Sequence, residues 1–151
     1  MEIEFYNYGT IDNKDLKFAI ILSMYKNKYV FVKTKKRGTW EMPAGHREPD
    51  EDINITASRE LREETGAKRF TILPINDYSV KTFESLIYGR LFYANIKEFG
   101  NLVDKEIEEV KLFDTLPDEL SYPKIQPVLF EKILKAKKTM GSGTVVLFCE
   151  D

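Results

Sequence analysis

Residues 45–67 read GHREPDEDINITASRELREETGA. Within this stretch Ile53, Ala57 and Leu61 recur at every fourth position, the interval that stacks side chains on one face of a helix. The acids at Asp50–Asp52 suit the positive end of a helix dipole. Gly66 suits the left-handed residue that closes a helix. The stretch therefore predicts a helix that starts near Asp50–Asp52, stops at Gly66 and turns Ile53, Ala57 and Leu61 toward a core.

On a wheel of about 100° per residue with Ile53 at zero, Ala57 falls at about 40° and Leu61 at about 80°. Glu64 falls at about 20° and Glu60 at about 340°, on or beside that apolar stripe, with Glu63 flanking it at about 280°. Glu60 and Glu64 form a like-charge pair one helical turn apart, which weakens an isolated helix slightly. Burying unpaired carboxylates is far more costly. Arg59 supplies one compensating cation for three carboxylates. A divalent ion would supply the rest, and clustered carboxylates suit the hard ions Mg²⁺, Mn²⁺ or Ca²⁺. The wheel alone leaves a solvated acidic face open as the other reading.

Upstream of this segment, residues 18–24 (FAIILSM) and 29–34 (YVFVKT) are β-rich runs around a polar break, which predicts a hairpin turning at Lys26-Asn27. A basic loop at 35–39 (KKRGT) leads to a short strand at Trp40-Glu41-Met42, closed by Pro43-Ala44-Gly45. Downstream, Ser79–Ile96 is rich in aromatic and β-branched residues and reads as one long strand or a hairpin. An acidic loop over Phe99–Glu109, a strand at Val110–Phe113 and a turn at Leu116-Pro117-Asp118 follow. Residues 125–138 (IQPVLFEKILKAKK) read as an amphipathic helix. The apolar tail Val145–Cys149 offers an edge strand or a contact with a second copy of the chain. Strands interleaved with two helices point to a mixed sheet covered on both faces.

The chain has 151 residues, 42% of them hydrophobic, enough for one domain with an ordinary core. Its 23 basic and 25 acidic residues give a net charge of −2, against a general nucleic-acid coat and against a polyacidic or polybasic tail protein. One cysteine, Cys149, excludes an internal disulfide, and one histidine, His46, excludes a multi-histidine metal site. No apolar run approaches membrane-spanning length and the N-terminus resembles no leader peptide, so a cytoplasmic protein with no membrane partner is expected.

The segment 45–67 also resembles a known motif, the Nudix box G-x5-E-x7-R-E-U-x-E-E-x-G-U, where U is a bulky aliphatic residue. Gly45, Glu51, Arg59, Glu60, Leu61, Glu63, Glu64 and Gly66 all match, and Ala67 is small at the last U. Trp40–Gly45 is similar to the strand and turn that enter the box in MutT-like members, which commonly carry Gly where Ala44 stands. Residues 106–113 (EIEEVKLF) with Leu116-Pro117 are similar to a late loop, strand and turn of the family. The resemblance implies a fold of the α/β class, a Nudix-type α/β/α sandwich with a central mixed sheet, in a single domain over residues 1–151.

It also implies a reaction: Mg²⁺- or Mn²⁺-dependent hydrolysis of a phosphoanhydride bond in a nucleoside diphosphate-linked substrate. The expected substrate is a (d)NTP or an oxidised dNTP such as 8-oxo-dGTP. Alternatives are ADP-ribose, a dinucleoside polyphosphate, an RNA 5′-triphosphate end, or nucleotide sensing without cleavage. Matching the motif makes Glu60, Glu63 and Glu64 metal ligands together with the Ala44 carbonyl. Arg59 orients a glutamate, Glu51 holds the loop or Arg59, and Gly45 and Gly66 are structural. Glu60 and Glu106 are the candidate general bases, with Glu108 and Glu109 behind them. Lys33, Lys35, Lys36 and Arg37 are expected either to meet phosphates or to be solvated. Trp40, His46, Tyr78, Phe83, Tyr88 and Tyr93 are each open to a ligand role and to an ordinary packing or loop role.

Overall fold

A computed structural model describes residues 1–140 and the backbone of 147–149. The elements are β1 (Glu2–Asn7), a 3₁₀ turn (Asn13–Asp15), β2 (Leu16–Tyr25), β3 (Lys28–Thr34), β4 (Trp40–Glu41), β5 (Ala44–His46), α1 (Ile53–Thr65), β6 (Ala67–Lys81), β7 (Leu86–Phe99), β8 (Ile107–Phe113), α2 (Gln126–Thr139) and β9 (Leu147–Cys149). The sheet runs β1-β6-β7-β2-β3-β4, with β5 on β2, β8 on β3 and β9 on β6. It is mixed: β2 and β7 pair in parallel while β6–β7 and β2–β3 are antiparallel.

Alternation along the central strands makes two cores. Ala19 and Ile21 of β2 and Phe92 and Ala94 of β7 face α1, where Ile53, Ala57 and Leu61 are completely buried. Ile20, Leu22 and Leu91 face the other way, against Leu129, Phe130 and Ile133 of α2. A parallel pair covered on both faces demands apolar residues at successive positions, which is why β2 reads FAIILSM without alternation. The result is the expected α/β/α sandwich.

Both hairpins fall where the sequence places them. Lys26 and Asn27 have φ of 48° and 66°, the double left-handed geometry of a tight two-residue turn. Ser79–Ile96 is a hairpin rather than one strand, closed by Thr82 N–H donating to Ser85 O at 2.8 Å.

Strands β6, β1 and β8 exceed the sequence reading. β6 starts twelve residues before Ser79, immediately after Gly66. Pro74 masks it in the sequence, but the pairing slips between Pro74 and Asn76, and a bulge tolerates a residue that cannot donate to the ladder. β1 pairs in register with the far end of β6, Glu2 opposite Lys81, and Ile3 and Phe5 pack on the α2 side. Alternation in so short a terminal segment gives little signal. β8 begins at Ile107, earlier than Val110. In the tail, Leu147–Cys149 pairs with Phe70–Ile72, so the edge-strand reading applies there, whereas Val145 and Val146 lie outside the described residues.

Candidate active site

α1 carries the box glutamates, and its ends are built from local rules. Asp52 caps it, its carboxylate accepting from Asn54 N–H at 2.8 Å. Gly66 closes it at φ 78° with its N–H bonded to Arg62 O. Because Ile53, Ala57 and Leu61 are buried against the sheet, Glu60 and Glu64 are drawn toward the entering strand β5. Glu64 Oε1 accepts from Ala44 N–H at 2.9 Å. Glu60 lies so close to Gly45 that any Cβ there would overlap its carboxyl group. Gly45 is therefore required by close approach, not by a left-handed φ. Ala44 is not in the left-handed region either, so its side chain brings no backbone strain there.

Arg59 is the hub. Its Nε and Nη2 donate to the two oxygens of Glu51 at 2.8 and 2.9 Å, a bidentate clamp of the strong charge-assisted kind. Its Nη1 reaches Glu60 Oε1 at 2.8 Å and Glu63 Oε1 at 3.3 Å. Nη2 also donates to the His46 carbonyl at 3.0 Å. One guanidinium thus ties the loop before α1 to two glutamates of the helix. Glu51 is held further by Thr56 Oγ1 at 2.6 Å and Glu48 N–H at 3.1 Å.

The electrostatics divide these carboxylates. The Arg59 hydrogen bond, with help from Thr56 and Glu48 N–H, holds Glu51 down at about 2. Burial pushes Glu60 upward against the pull of Arg59, with Glu63 and Asp104 adding repulsion. Burial drives Glu64 up to about 8, against the Ala44 N–H, with Glu60, Glu41 and Asp104 repelling it further. The carboxylates drive the Arg59 guanidinium above its ordinary range, Glu51 most of all.

Among the described residues, no three acids or histidines already converge as a ready-made ligand sphere. Arg59 holds one oxygen each of Glu60 and Glu63. The donors nonetheless fit a hard divalent ion. All are oxygens, Glu64 is a partly buried carboxylate whose hydrogen bond comes from a neutral backbone amide, and Gly45 admits the Glu60 carboxyl next to it.

Asp104 and Glu41 are the residues that sequence reasoning missed. Asp104 repels both Glu60 and Glu64, and its loop is anchored by Gly100 N–H to Gly66 O at 2.7 Å and by Lys35 N–H to Glu106 O at 2.9 Å. Its only sequence signal was membership of the acidic loop. Glu41 is buried and paired with Arg37 at 2.8 and 2.9 Å. Glu106 is exposed, and its N–H donates to Asp104 Oδ1 at 2.9 Å. Glu108 and Glu109 are exposed on β8, Glu108 4.0 Å from Lys33.

Of Lys33, Lys35, Lys36 and Arg37, Arg37 comes nearest the helix acids, through its pair with Glu41. Lys33 lies over the Trp40 ring at 4.8 Å, and Lys35 and Lys36 are exposed. Trp40 is buried edge-on against Phe113 with ring centroids 4.9 Å apart, a packing role. The His46 ring rests on Phe18 at 4.3 Å. The four aromatics do not converge: Tyr78 and Tyr93 pack on the α2 side, Tyr88 on the α1 side, and Phe83 is fully exposed at the β6–β7 turn. Burial raises the Tyr78 hydroxyl above its ordinary range.

Comparison with known proteins agrees with this geometry. The NUDIX domain profile matches residues 14–131. YtkD of Bacillus subtilis (strain 168), provisionally described as an 8-oxo-dGTP diphosphatase, is 30% identical over 133 residues, covering 85% of this chain and 84% of that protein. The mRNA-decapping enzyme subunit 2 of Arabidopsis thaliana is 32% identical over 95 residues, 61% of this chain but 26% of that longer protein. Among solved structures, a mutant form of the Bacillus subtilis pyrophosphohydrolase BsRppH superposes with a TM-score of 0.75 at 22% identity, over 88% of this chain and 90% of that one.

Proposed function

This chain belongs to the Nudix family of hydrolases, which act on phosphoanhydride bonds, and from that premise we propose that it is a Mg²⁺- or Mn²⁺-dependent pyrophosphohydrolase of a (d)NTP or an oxidised dNTP such as 8-oxo-dGTP. The observation that carries the metal is the meeting of two helix carboxylates with the entering strand: Glu64 is partly buried and bonded only to a neutral amide, Ala44 N–H at 2.9 Å, and Glu60 is packed against Gly45 beside it. The description of YtkD supports the substrate. The decapping relative, named for its action on mRNA, supports an RNA 5′ end as the second reading, the triphosphate end being the form expected above. On this proposal the chain is one domain over residues 1–151 and works in the cytoplasm.

Glu60, Glu63, Glu64 and the Ala44 carbonyl hold the ion. Once bound, such an ion neutralises phosphate charge, orients the substrate and lowers the pKa of water. Arg59 fixes the rotamers of Glu60 and Glu63, so the ligand oxygens do not have to be ordered at the moment of reaction. A carboxylate, Glu60 or Glu106, takes the proton as water forms its new bond to phosphorus and the bridging P–O bond breaks. On the same proposal Arg37, paired with Glu41, meets a substrate phosphate.

The test is a panel of NTPs, dNTPs, 8-oxo-dGTP, ADP-ribose, diadenosine polyphosphates and 5′-triphosphate RNA. Each is run with Mg²⁺ and with Mn²⁺ beside Glu64→Gln, and the products are identified. Metal-dependent cleavage of a nucleoside triphosphate, lost in the variant, is the expected result. Tight binding without turnover across the panel would make the protein a sensor instead.

A further inference from the structure

We propose that Asn13, far outside the box in sequence, is a positioning residue for the glutamate centre and acts through Glu51 and Arg59. Its side chain makes two bonds at the mouth of α1. Oδ1 accepts from Ile53 N–H, the first amide of the helix, at 2.7 Å. Nδ2 donates to the Glu51 carbonyl at 2.9 Å. Asp52 already caps the helix through Asn54 N–H, so Asn13 supplies what Asp52 cannot: it fixes Glu51 relative to the helix axis.

A second residue reinforces the same joint. Arg47 Nη1 donates to the Glu51 carbonyl at 3.2 Å and to the Glu48 carbonyl at 3.1 Å. Its Nε and Nη2 bind the carbonyls of Leu16 and Lys14 at 3.0 and 3.1 Å. The Glu51 backbone is therefore held from two sides while its carboxylate grips Arg59. Arg59 in turn sets Glu60 and Glu63. The segment carrying Asn13 is itself pinned, by Ile11 N–H to Asp77 Oδ2 at 2.9 Å and by the Tyr8 ring stacked 4.5 Å from the Arg90 guanidinium. Asp77 is completely buried and ion-paired to Arg90 at 2.6 Å, so the sheet anchors the strap. The order of transmission is Asn13 and Arg47, then Glu51, then Arg59, then the ligand oxygens.

This inference rests on the metal-dependent reading above, and its readout is Mn²⁺ binding measured without substrate. Wild type, Asn13→Ala, Asn13→Asp and a packing control in the opposite core, Ile133→Val, are compared by electron paramagnetic resonance titration. Loss of groups that support metal ligands weakens affinity by about tenfold or more, and that loss is expected for Asn13→Ala. Asn13→Asp keeps the acceptor for Ile53 N–H, so it folds, but it cannot donate to the Glu51 carbonyl. Its affinity is expected to stay about tenfold weak, while Ile133→Val binds as wild type does. Asn13→Asp binding Mn²⁺ like wild type would reduce Asn13 to a helix cap and overturn the proposal, as would equal weakening in Ile133→Val. Wild type that binds no Mn²⁺ at all would overturn the metal-dependent reading beneath it.

Discussion

Replacing Glu51 with Gln removes a charge but almost no volume, so it isolates the Glu51–Arg59 clamp. The carboxyl group moves from 4.5 to about 2 on folding. That difference of about 2.5 units corresponds to about 3 kcal/mol at neutral pH. The Glu51 and Arg59 side chains are 11% and 21% exposed in a partly buried site, so solvent screening removes a share of it. The sign follows from the depressed value. The stabilisation is complete above the unfolded pKa and is lost as pH falls through the folded one, so at pH 3 about 1.4 kcal/mol remains. The assay is urea unfolding in EDTA, followed by fluorescence of Trp40, the single tryptophan, which is buried. Glu51→Gln should lose about 2–3 kcal/mol at pH 7, or roughly 5–10 °C in Tm for a chain of this size. The gap to wild type should halve by pH 3. A loss below about 0.5 kcal/mol at pH 7, or a loss that is the same at both pH values, would refute the clamp as a stabilising element.

Glu64 has the opposite sign. A folded carboxyl raised to about 8 favours folding while protonated, and metal-free stability should fall as pH rises from about 4.5 through 8. Glu64→Gln should therefore melt above wild type at pH 9 in EDTA, by at most about 5 kcal/mol, and should gain no stability from Mn²⁺; equal melting curves from pH 5 to 9 would sink the argument. Gly45→Ala places a methyl group in the Glu60 carboxyl, and kcat should fall by about a hundredfold or more; a fully active, equally stable variant would show that Glu60 moves aside freely. Asp77→Asn leaves the buried Arg90 guanidinium without its counter-charge and should remove about 3–5 kcal/mol, read by the same urea titration, whereas a change under about 1 kcal/mol would mean that water reaches Arg90.

The box helix was legible because three independent local rules agreed on it. The four-residue apolar spacing, the acidic start and the closing Gly66 each follow from the geometry of a single helix. The tight turn at Lys26-Asn27 was legible for the same reason. β6 was half hidden because Pro74 signals a break unless a bulge in its own strand absorbs it, and only pairing with β7 reveals that bulge. β1 was invisible because a short, half-exposed strand owes its existence to the edge it joins.

The site divides along the same line. The residues of the box were legible in the sequence itself, because which carboxylates share one face of a helix is a matter of spacing along that helix. The wheel placed Glu60 and Glu64 beside the buried stripe before any neighbour was known. Only the tertiary structure decided what those carboxylates face. Ala44 N–H meets Glu64, Gly45 makes room for Glu60, and Asp104 rather than Glu106 presses its charge on them. It alone showed Asn13 seated against Glu51, residues 38 positions apart. Local spacing follows from covalent geometry and is written in any stretch of chain. A long-range contact exists only when the two cores bring distant strands and loops together, and nothing in the intervening sequence records the distance at which they meet.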